Sequence, residues 1–197
     1  MSILRVDQRN LKTIVKIMVK SIKQGKVIVC PTDTVYGLIA DATSEIAVKK
    51  LLKIKKRNNQ KPIPIFVKDL KTAKKLASIN RQQEKFLKKI WPGKVTVILR
   101  PRRKFPKGIG KPKKEIGLRV PNYKIINQLL KFCDYPLTGT SANISGKPPS
   151  TKIKEILKQF KNQKYQPDLV IDAGNLPKSK PSIVLDLRHL PPKILRL

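Results

Sequence analysis

Apolar residues recur along the chain with two spacings, one typical of helices and one typical of strands. The stretch from Leu11 to Ile22 repeats apolar residues at helical spacing, and Gly25 follows where a helix would end. A second helix is predicted from Ser44, a common helix-capping residue, to Lys55. Between them, the short apolar run from Lys26 to Cys30 predicts a buried strand that Pro31 ends.

The same patterns predict further helices and strands in alternation. The predicted helices are Ala73–Ala77, Gln82–Ile90, Asn122–Phe132 and a last one, capped by Ser150 or Thr151, that ends near Phe160. The predicted strands are Ile63–Val67, Lys94–Arg100, Ile116–Val120, Pro136–Thr140, Leu169–Ile171, Ile183–Leu187 and Ile194–Leu197. Pro64 is expected to place its strand at a sheet edge or a bulge. Interleaved helices and strands, without a repeat or a linker, predict an α/β fold with a mixed sheet.

Residues 101–114 break the pattern, because they are rich in Pro, Gly, Lys and Arg and contain only Phe105 and Ile109 as large apolar residues. Such a segment cannot bury enough surface to fold on its own, so it is predicted to be a mobile basic loop. It could serve as a lid over a site or be a solvated loop without a role, and the sequence leaves both open.

The charge balance favours an anionic partner. The 197 residues include 45 Lys and Arg but only 12 Asp and Glu, which gives a net charge of +33. That charge predicts attraction to RNA, to nucleotide phosphates or to an anionic surface, although lysines spread evenly over a solvated surface would give the same total. No run approaches the ~18 apolar residues of a membrane-spanning helix, and the first ten residues lack a secretory core. The sequence therefore predicts a cytoplasmic protein without a membrane partner.

The inventory of reactive side chains excludes several kinds of site. His189 is the only histidine, so a His-based triad or a His-rich metal site is excluded. Cys30 and Cys133 have no CxxC partner, which argues against a zinc site or a required disulfide. The sequence also contains no Walker A, G-x-G-x-x-G or G-x-S-x-G motif. Any phosphate would therefore be held mainly by Lys and Arg side chains.

Several cations stand where a site could use them. Lys55, Arg57 and Lys61 precede a predicted strand and could together neutralise a triphosphate. Arg119 lies within the apolar stretch Leu118–Pro121, where a charge needs a partner. That partner could be an internal carboxylate or the carboxylate of a ligand. The scarcity of acidic residues favours the ligand.

Two loops of small polar residues follow predicted strands, at 31–38 and at 141–146. Hydroxyl groups and bare backbone at strand ends suit small polar ligands in open α/β sheets. A turn held by its own side-chain hydrogen bonds would look the same in sequence. The Ser141–Gly146 loop has no catalytic base near it in sequence, so we interpret it as orienting a ligand.

Five motifs, in order, resemble those of the YrdC/TsaC family of L-threonylcarbamoyladenylate synthases. They are Pro31-Thr32-Asp33-Thr34-Val35-Tyr36-Gly37-Leu38, Lys55-x-Arg57-x-x-x-Lys61-Pro62, Trp91-Pro92-Gly93-Lys94-Val95-Thr96, Leu118-Arg119-Val120-Pro121 and Ser141-Ala142-Asn143-x-Ser145-Gly146. The resemblance runs from about Gly25 to Asp186. It is specific because all five motifs keep their order.

The resemblance implies a single YrdC-like domain over residues 1–197, similar to the short bacterial form. Its fold would be a twisted mixed sheet with flanking helices and a basic central cavity, like that of DHBP synthase (RibB). The implied enzyme is a nucleotidyltransferase that converts L-threonine, bicarbonate and ATP, which brings Mg²⁺, into threonylcarbamoyl-AMP and pyrophosphate. A separate threonylcarbamoyl transferase complex would use the product to modify tRNA. The alternative is a double-stranded RNA- or ribosome-associated protein that uses the same cavity.

The resemblance also implies residue roles. Threonine would be held by Thr34, Arg119, Ser141 and Ser182. ATP would be held by Arg57, Lys61, Asn143 and Arg196. Lys55 and Arg57 would stabilise the transition state electrostatically, without a covalent nucleophile and without a protein-bound metal.

Three positions depart from the family pattern. Phe66 stands where many relatives have His, so one substrate contact is in question. Pro149-Ser150-Thr151 replaces Ser-Pro-Thr and puts a hydroxyl on the phosphate side in question. Ser182 lacks its usual threonine neighbour.

Overall fold

A computed structural model describes residues 1–57, 62–111, 114–189 and 191–197. Within these residues the strands form two mixed β-sheets, which meet where the chain passes from one sheet to the other at residues 137–141. The helices are α1 Leu11–Lys23, α2 Glu45–Lys55, α3 Leu70–Leu76, α4 Arg81–Ile90, α5 Lys124–Cys133 and α6 Ile153–Phe160. The strands are β1 Ser2–Arg5, β2 Ile28–Cys30, β3 Gly37–Ile39, β4 Ile65–Phe66, β5 Ala77–Ser78, β6 Val95–Pro101, β7 Ile116–Arg119, β8 Leu137–Thr138, β9 Thr140–Ser141, β10 Leu169–Asp172, β11 Ile183–Asp186 and β12 Lys193–Arg196.

The first sheet has the order β1-β10-β2-β3-β9, in which β1, β10 and β2 are parallel and β3 and β9 join antiparallel. Strand β2 shows why both faces are covered. Ile28 and Cys30 pack into the core beneath α1 and α5, whereas Val29 faces the main core with α2 and α6. Successive side chains of a strand point to opposite faces, so a fully apolar strand needs cover on both sides.

The second sheet has the order β12-β11-β6-β7-β4-β8, with β5 added to β6. Strands β11 and β6 and strands β7 and β4 are parallel, and the remaining neighbours are antiparallel. Its inner face packs on the same main core as the first sheet. The α/β class with mixed sheets is therefore confirmed.

The predicted strand Pro136–Thr140 is divided between the two sheets. Leu137 and Thr138 pair with β4 in the second sheet, and Thr140 and Ser141 pair with β3 in the first. Gly139 lies at the crossing, and its N–H donates to the carbonyl of Pro64 at 2.8 Å. This short connection brings the two sheets together where the candidate site lies.

Several local expectations are confirmed and others need correction. Helices α1 and α2 lie where the pattern placed them, and the hydroxyl of Ser44 accepts from the N–H of Ala47 at 3.3 Å as a helix cap. The expectation for Pro64 is wrong, because β4 begins after it and lies between β7 and β8 inside the sheet. The expectation that Ser150 or Thr151 caps the last helix is also wrong. Helix α6 begins after Lys152, and the side chain of Lys152 makes no capping hydrogen bond.

Three strands went unrecognised in the sequence: β1, β3 and β5. Strand β5 includes Ala77, which the periodicity placed in a helix. The basic segment is also better anchored than expected. Phe105 packs against the main core, Ile109 is buried, and the N–H of Ile63 donates to the carbonyl of Gly108 at 2.8 Å. This part of the segment is therefore packed onto the body of the protein. None of the helices in the described ranges is long and apolar enough to cross a membrane.

Candidate active site

A cavity of about 540 Å³ opens between the two sheets, beside the crossing at Gly139. The first sheet and its loops contribute Thr32, residues 34–37 and residues 140–141, and the second sheet contributes parts of β4, β6, β7, β11 and β12. Six residues with predicted roles line it: Thr34, Arg57, Arg119, Ser141, Ser182 and Arg196. Lys55 and Asn143 do not line it, and Lys61 lies outside the described residues.

Arg119 is the most deeply buried cation in the wall, with a side chain only 4% exposed. Its Nε donates to the carbonyl of Gly93 at 2.8 Å, and its terminal NH2 donates to Oδ2 of Asp33 at 2.7 Å. The expectation that a ligand would be its partner is therefore incomplete, because an internal carboxylate already pairs with it. Burial lowers the pKa of Arg119, while the charge of Asp33 opposes that shift.

The Trp91-Pro92-Gly93 motif holds Arg119 in place. The indole N–H of Trp91 donates to the carbonyl of Val95 at 2.8 Å, and the N–H of Gly93 donates to the carbonyl of Val120 at 2.9 Å. The carbonyl of Gly93 is then free to accept from Arg119. A side chain at Gly93 would come within 2.7 Å of the carbonyl oxygen of Ile90, so the turn requires glycine.

Phe66 occupies the position where relatives were expected to carry His. The guanidinium of Arg119 lies 5.7 Å from the centre of its ring, a cation–π distance. A Cβ on Gly139 would come within 2.7 Å of the same ring. Phe66 and Gly139 therefore form an apolar wall of the cavity beside Arg119.

Lys55 supports the Ser141–Gly146 loop from behind. Its Nζ donates to the carbonyl of Ser141 at 2.6 Å and, in Asn143, to the carbonyl at 3.0 Å and to Oδ1 at 2.7 Å. The residue is 2% exposed. Burial, and then the charge of Arg57, lowers the pKa of Lys55 to about 7. This geometry gives Lys55 the position of a loop anchor rather than of a group in the cavity wall.

Asn143 belongs to the same buried network. Its Oδ1 also accepts from the hydroxyl of Ser141 at 2.6 Å, and its Nδ2 donates to the carbonyls of Ile144, at 3.2 Å, and Lys147. Both polar atoms of the side chain, Oδ1 and Nδ2, and the backbone carbonyl are thus engaged within the protein. Of this loop, Ser141 is the member that reaches the cavity wall.

Arg57 and Arg196 bring positive charge to the cavity from two directions. Arg57 follows α2, its NH2 donates to the carbonyl of Pro62 at 3.1 Å, and burial lowers its pKa. Arg196, on β12, donates to the carbonyl of Ser182 at 2.6 Å and to its hydroxyl at 3.1 Å. The charge of Arg196 also contributes to the lowered pKa of Arg119, so these cations share one electrostatic environment.

Hydroxyl groups face each other in two pairs along the wall. Oγ1 of Thr32 lies 3.1 Å from Oγ1 of Thr34, and Oγ1 of Thr96 lies 3.1 Å from Oγ of Ser182. The hydroxyl of Thr32 donates to the carbonyl of Val35 at 2.6 Å, so the hydroxyl of Thr34 is the donor of the first pair, whereas either hydroxyl of the second pair could donate. The hydroxyl of Ser150 has a different partner. It donates at 2.5 Å to Oε2 of Glu155, a residue of α6.

Comparison with known proteins shows to which family this chain belongs. The family model Sua5/YciO/YrdC, described as telomere recombination, matches residues 20–197. The chain belongs to the Sua5/YciO/YrdC family. Among curated Sua5/YciO/YrdC proteins, a putative threonylcarbamoyl-AMP synthase from Methanocaldococcus jannaschii is 37% identical over 94% of this chain and 86% of its own length.

Solved Sua5/YciO/YrdC structures agree with the fold. Sua5 of Pyrococcus abyssi in complex with L-threonine superposes with a TM-score of 0.91 at 31% identity, and E. coli YciO with a TM-score of 0.84 at 26% identity. The chain covers 57% of that Sua5 chain and 95% of YciO. Both alignments cover the whole of this chain, so the YrdC-like fold is confirmed.

Four residues that line the cavity or support its wall have no role predicted from the sequence: Asp33, Thr32, Thr96 and Glu115. Asp33 and Thr32 lie inside a recognised motif, and Thr96 ends another, so the motifs themselves were the available signal. Glu115 follows the basic segment, and no pattern in the sequence marks it.

Glu115 bears on how a metal ion could be held. Its carboxylate is already paired, with Lys111 at 3.0 Å and with Arg188 at 3.1 Å. Asp33 is likewise paired with Arg119. Across the described residues, no three His, Cys, Asp or Glu side chains group as a metal site would require. The carboxylates of Glu115 and Asp33 are thus already engaged by Lys and Arg side chains.

Proposed function

We propose that this protein is a threonylcarbamoyl-AMP synthase that joins L-threonine, bicarbonate and ATP and releases pyrophosphate. The observation that carries the proposal is the buried Arg119 in a cavity that also presents Arg57 and Arg196. One buried guanidinium suits a carboxylate, and separate cations suit a triphosphate. The names of the relatives and the threonine complex of Sua5 support the same assignment.

Threonine would bind by its carboxylate to the unused donors of Arg119. Two of the five guanidinium N–H groups are engaged by Gly93 and Asp33, which leaves donors for a ligand. The hydroxyls of Thr34, Ser141 and Ser182 would orient the amino and side-chain groups. The Phe66 ring would exclude water from one side of the amino acid.

ATP would bind with its phosphates near Arg57, Arg196 and Lys61. Arg57 and Arg196 reach the cavity wall, so each can neutralise phosphate charge without a large movement. Asn143, which resemblance assigns to ATP, would act through the shape of its loop, because its polar atoms already have partners. Mg²⁺ would enter with ATP and neutralise the phosphates.

The reaction would need positioning and positive charge rather than a covalent intermediate. The threonine amine and bicarbonate would form a carbamate with loss of water. A carbamate oxygen would attack the α-phosphorus, and the bond from that phosphorus to the bridging oxygen of pyrophosphate would break. Arg57 would stabilise the charge that develops on the leaving group. The product would then supply threonylcarbamoyl transfer to tRNA by a separate transferase complex.

The test is pyrophosphate release from ATP, measured with and without L-threonine and bicarbonate. Release that requires both co-substrates is the expected result. Arg57→Ala should lower it, whereas Lys68→Ala, a lysine outside this cavity, should not. No release, together with tight and salt-sensitive binding of double-stranded RNA, would instead favour the RNA-associated alternative that the net charge of +33 supports.

A further inference from the structure

Asp33 lies behind Arg119, the most deeply buried cation of the cavity wall. It does not line the cavity itself, and its side chain is 8% exposed. Its Oδ2 accepts from Arg119 NH2 at 2.7 Å and from the N–H of Asn122 at 3.1 Å. Its Oδ1 is buried and has no hydrogen-bond donor among residues 1–57, 62–111, 114–189 and 191–197. The carboxylate is therefore held through one oxygen only.

The orientation of Arg119 does not depend on the charge of Asp33. Its Nε is fixed by the carbonyl of Gly93 at 2.8 Å, and its guanidinium lies over the Phe66 ring, 5.7 Å from the ring centre. A neutral acceptor at Oδ2 would be enough to complete this arrangement. What the carboxylate adds is a negative charge beside the guanidinium, in a site with little water to screen it.

A carboxylate that binds to Arg119 must therefore bind beside an existing carboxylate. We propose that Asp33 partly neutralises Arg119 and so weakens its hold on the carboxylate of substrate and product. Threonylcarbamoyl-AMP keeps the threonine carboxylate, so an unpaired Arg119 would retain the product. This inference rests on the proposed function, because it takes threonine as the ligand of Arg119.

Asp33→Asn separates charge from shape. The amide oxygen can take the place of Oδ2 and still accept from Arg119 and Asn122. The amide nitrogen then takes the place of Oδ1, where the described residues offer no donor for it to clash with. The variant keeps the hydrogen bonds and removes the negative charge.

The experiment is calorimetric titration of the full chain with L-threonine. Asp33→Asn should lower the Kd for threonine by about three- to tenfold, because Arg119 then carries an uncompensated charge. The KM for threonine should fall as well, whereas the KM for ATP should change less. In an Arg119→Ala background, Asp33→Asn should have no such effect, since the carboxylate acts through Arg119.

Asp168→Asn is the matched control. It also removes a carboxylate paired with a cation, Lys50, but it lies outside the cavity wall. It should leave the Kd for threonine unchanged. If Asp33→Asn is too unstable for titration, thermal unfolding replaces it, and threonine should raise the Tm of Asp33→Asn more than that of the wild type.

The outcomes separate the two proposals. A wild-type protein that does not bind threonine overturns the proposed function and this inference with it. Threonine binding by the wild type, with equal or weaker binding by Asp33→Asn, overturns the inference alone. Tighter binding that persists in the Arg119→Ala background also overturns it, because the effect would then not pass through Arg119.

Discussion

Replacing Lys55 by methionine tests whether this cation anchors a loop or takes part in catalysis. The side chain would keep its apolar stem and lose the ammonium group. Three oxygens of Ser141 and Asn143 would then lose a donor. Two of them keep another donor, since the N–H of Asn143 bonds the carbonyl of Ser141, and the hydroxyl of Ser141 bonds Oδ1 of Asn143.

The cost is therefore concentrated on one buried carbonyl, that of Asn143, for which Lys55 is the donor. An unsatisfied buried acceptor costs about 1–3 kcal/mol, and the two weakened acceptors add to it. Removing the buried charge offsets part of this cost in free energy. We expect Lys55→Met to lower the free energy of unfolding by about 2–3 kcal/mol.

The assay is urea unfolding, with the KM for threonine measured alongside. Lys50→Met is the control, because Lys50 lies on the same helix and pairs with Asp168 at 2.6 Å in a partly exposed site. That pair should contribute no more than about 1 kcal/mol. The KM for threonine should rise only in Lys55→Met, because Ser141 would lose its support.

Equal unfolding free energies for Lys55→Met and Lys50→Met would refute this reasoning. A direct catalytic role of Lys55 makes a different prediction. Turnover would then fall by more than tenfold while stability and the KM for threonine stay near those of the wild type. The two roles are thus distinguished by which quantity changes.

Four further outcomes follow from the site. Arg119→Ala should weaken threonine binding far more than ATP binding, and calorimetry that shows equal loss for both would move the carboxylate site elsewhere. Arg57→Ala should lower turnover with ATP by more than about tenfold, since a charged contact contributes about 1.5–3 kcal/mol; unchanged turnover would move the phosphate site. Gly139→Ala should lower stability by about 1–3 kcal/mol in thermal unfolding, because its Cβ would overlap the Phe66 ring, and Phe66→Leu should restore part of it. Stability should rise from about pH 7 to pH 10, because Lys55 has a pKa of about 7 when folded and 10.5 when unfolded, so only the unfolded chain holds that proton in this window; this rise should shrink in Lys55→Met.

Local signals were enough to predict most elements. Helix α1 has an uninterrupted apolar face, and α2 has Ser44 as a cap, so both were found close to their true ends. Strand β3 was missed because its first two residues, Gly37 and Leu38, belong to the motif that was interpreted as a loop. The division of β8 and β9 at Gly139 was also missed, because pairing with two different sheets is a tertiary choice that the strand itself does not encode.

The residues of the candidate site were predicted one by one from motifs. The pairing of these residues with one another was not predicted, and the reason is physical. Composition favoured a ligand as the partner of Arg119, because acidic residues are few. One of those few, Asp33, lies 86 residues away within another motif and is brought to Arg119 only by the fold. A count of charges cannot show which pairs the fold will form.

Lys55 and Arg57 illustrate the same limit at short range. The two cations are separated by one residue and look equivalent in sequence. Lys56 adopts a left-handed conformation with φ 49°, which ends α2 and turns the chain. Lys55 is left in the core beneath the Ser141 loop, whereas Arg57 reaches the cavity. The two cations of this motif therefore have different surroundings, with Lys55 beneath the Ser141 loop and Arg57 at the cavity, on either side of the left-handed Lys56.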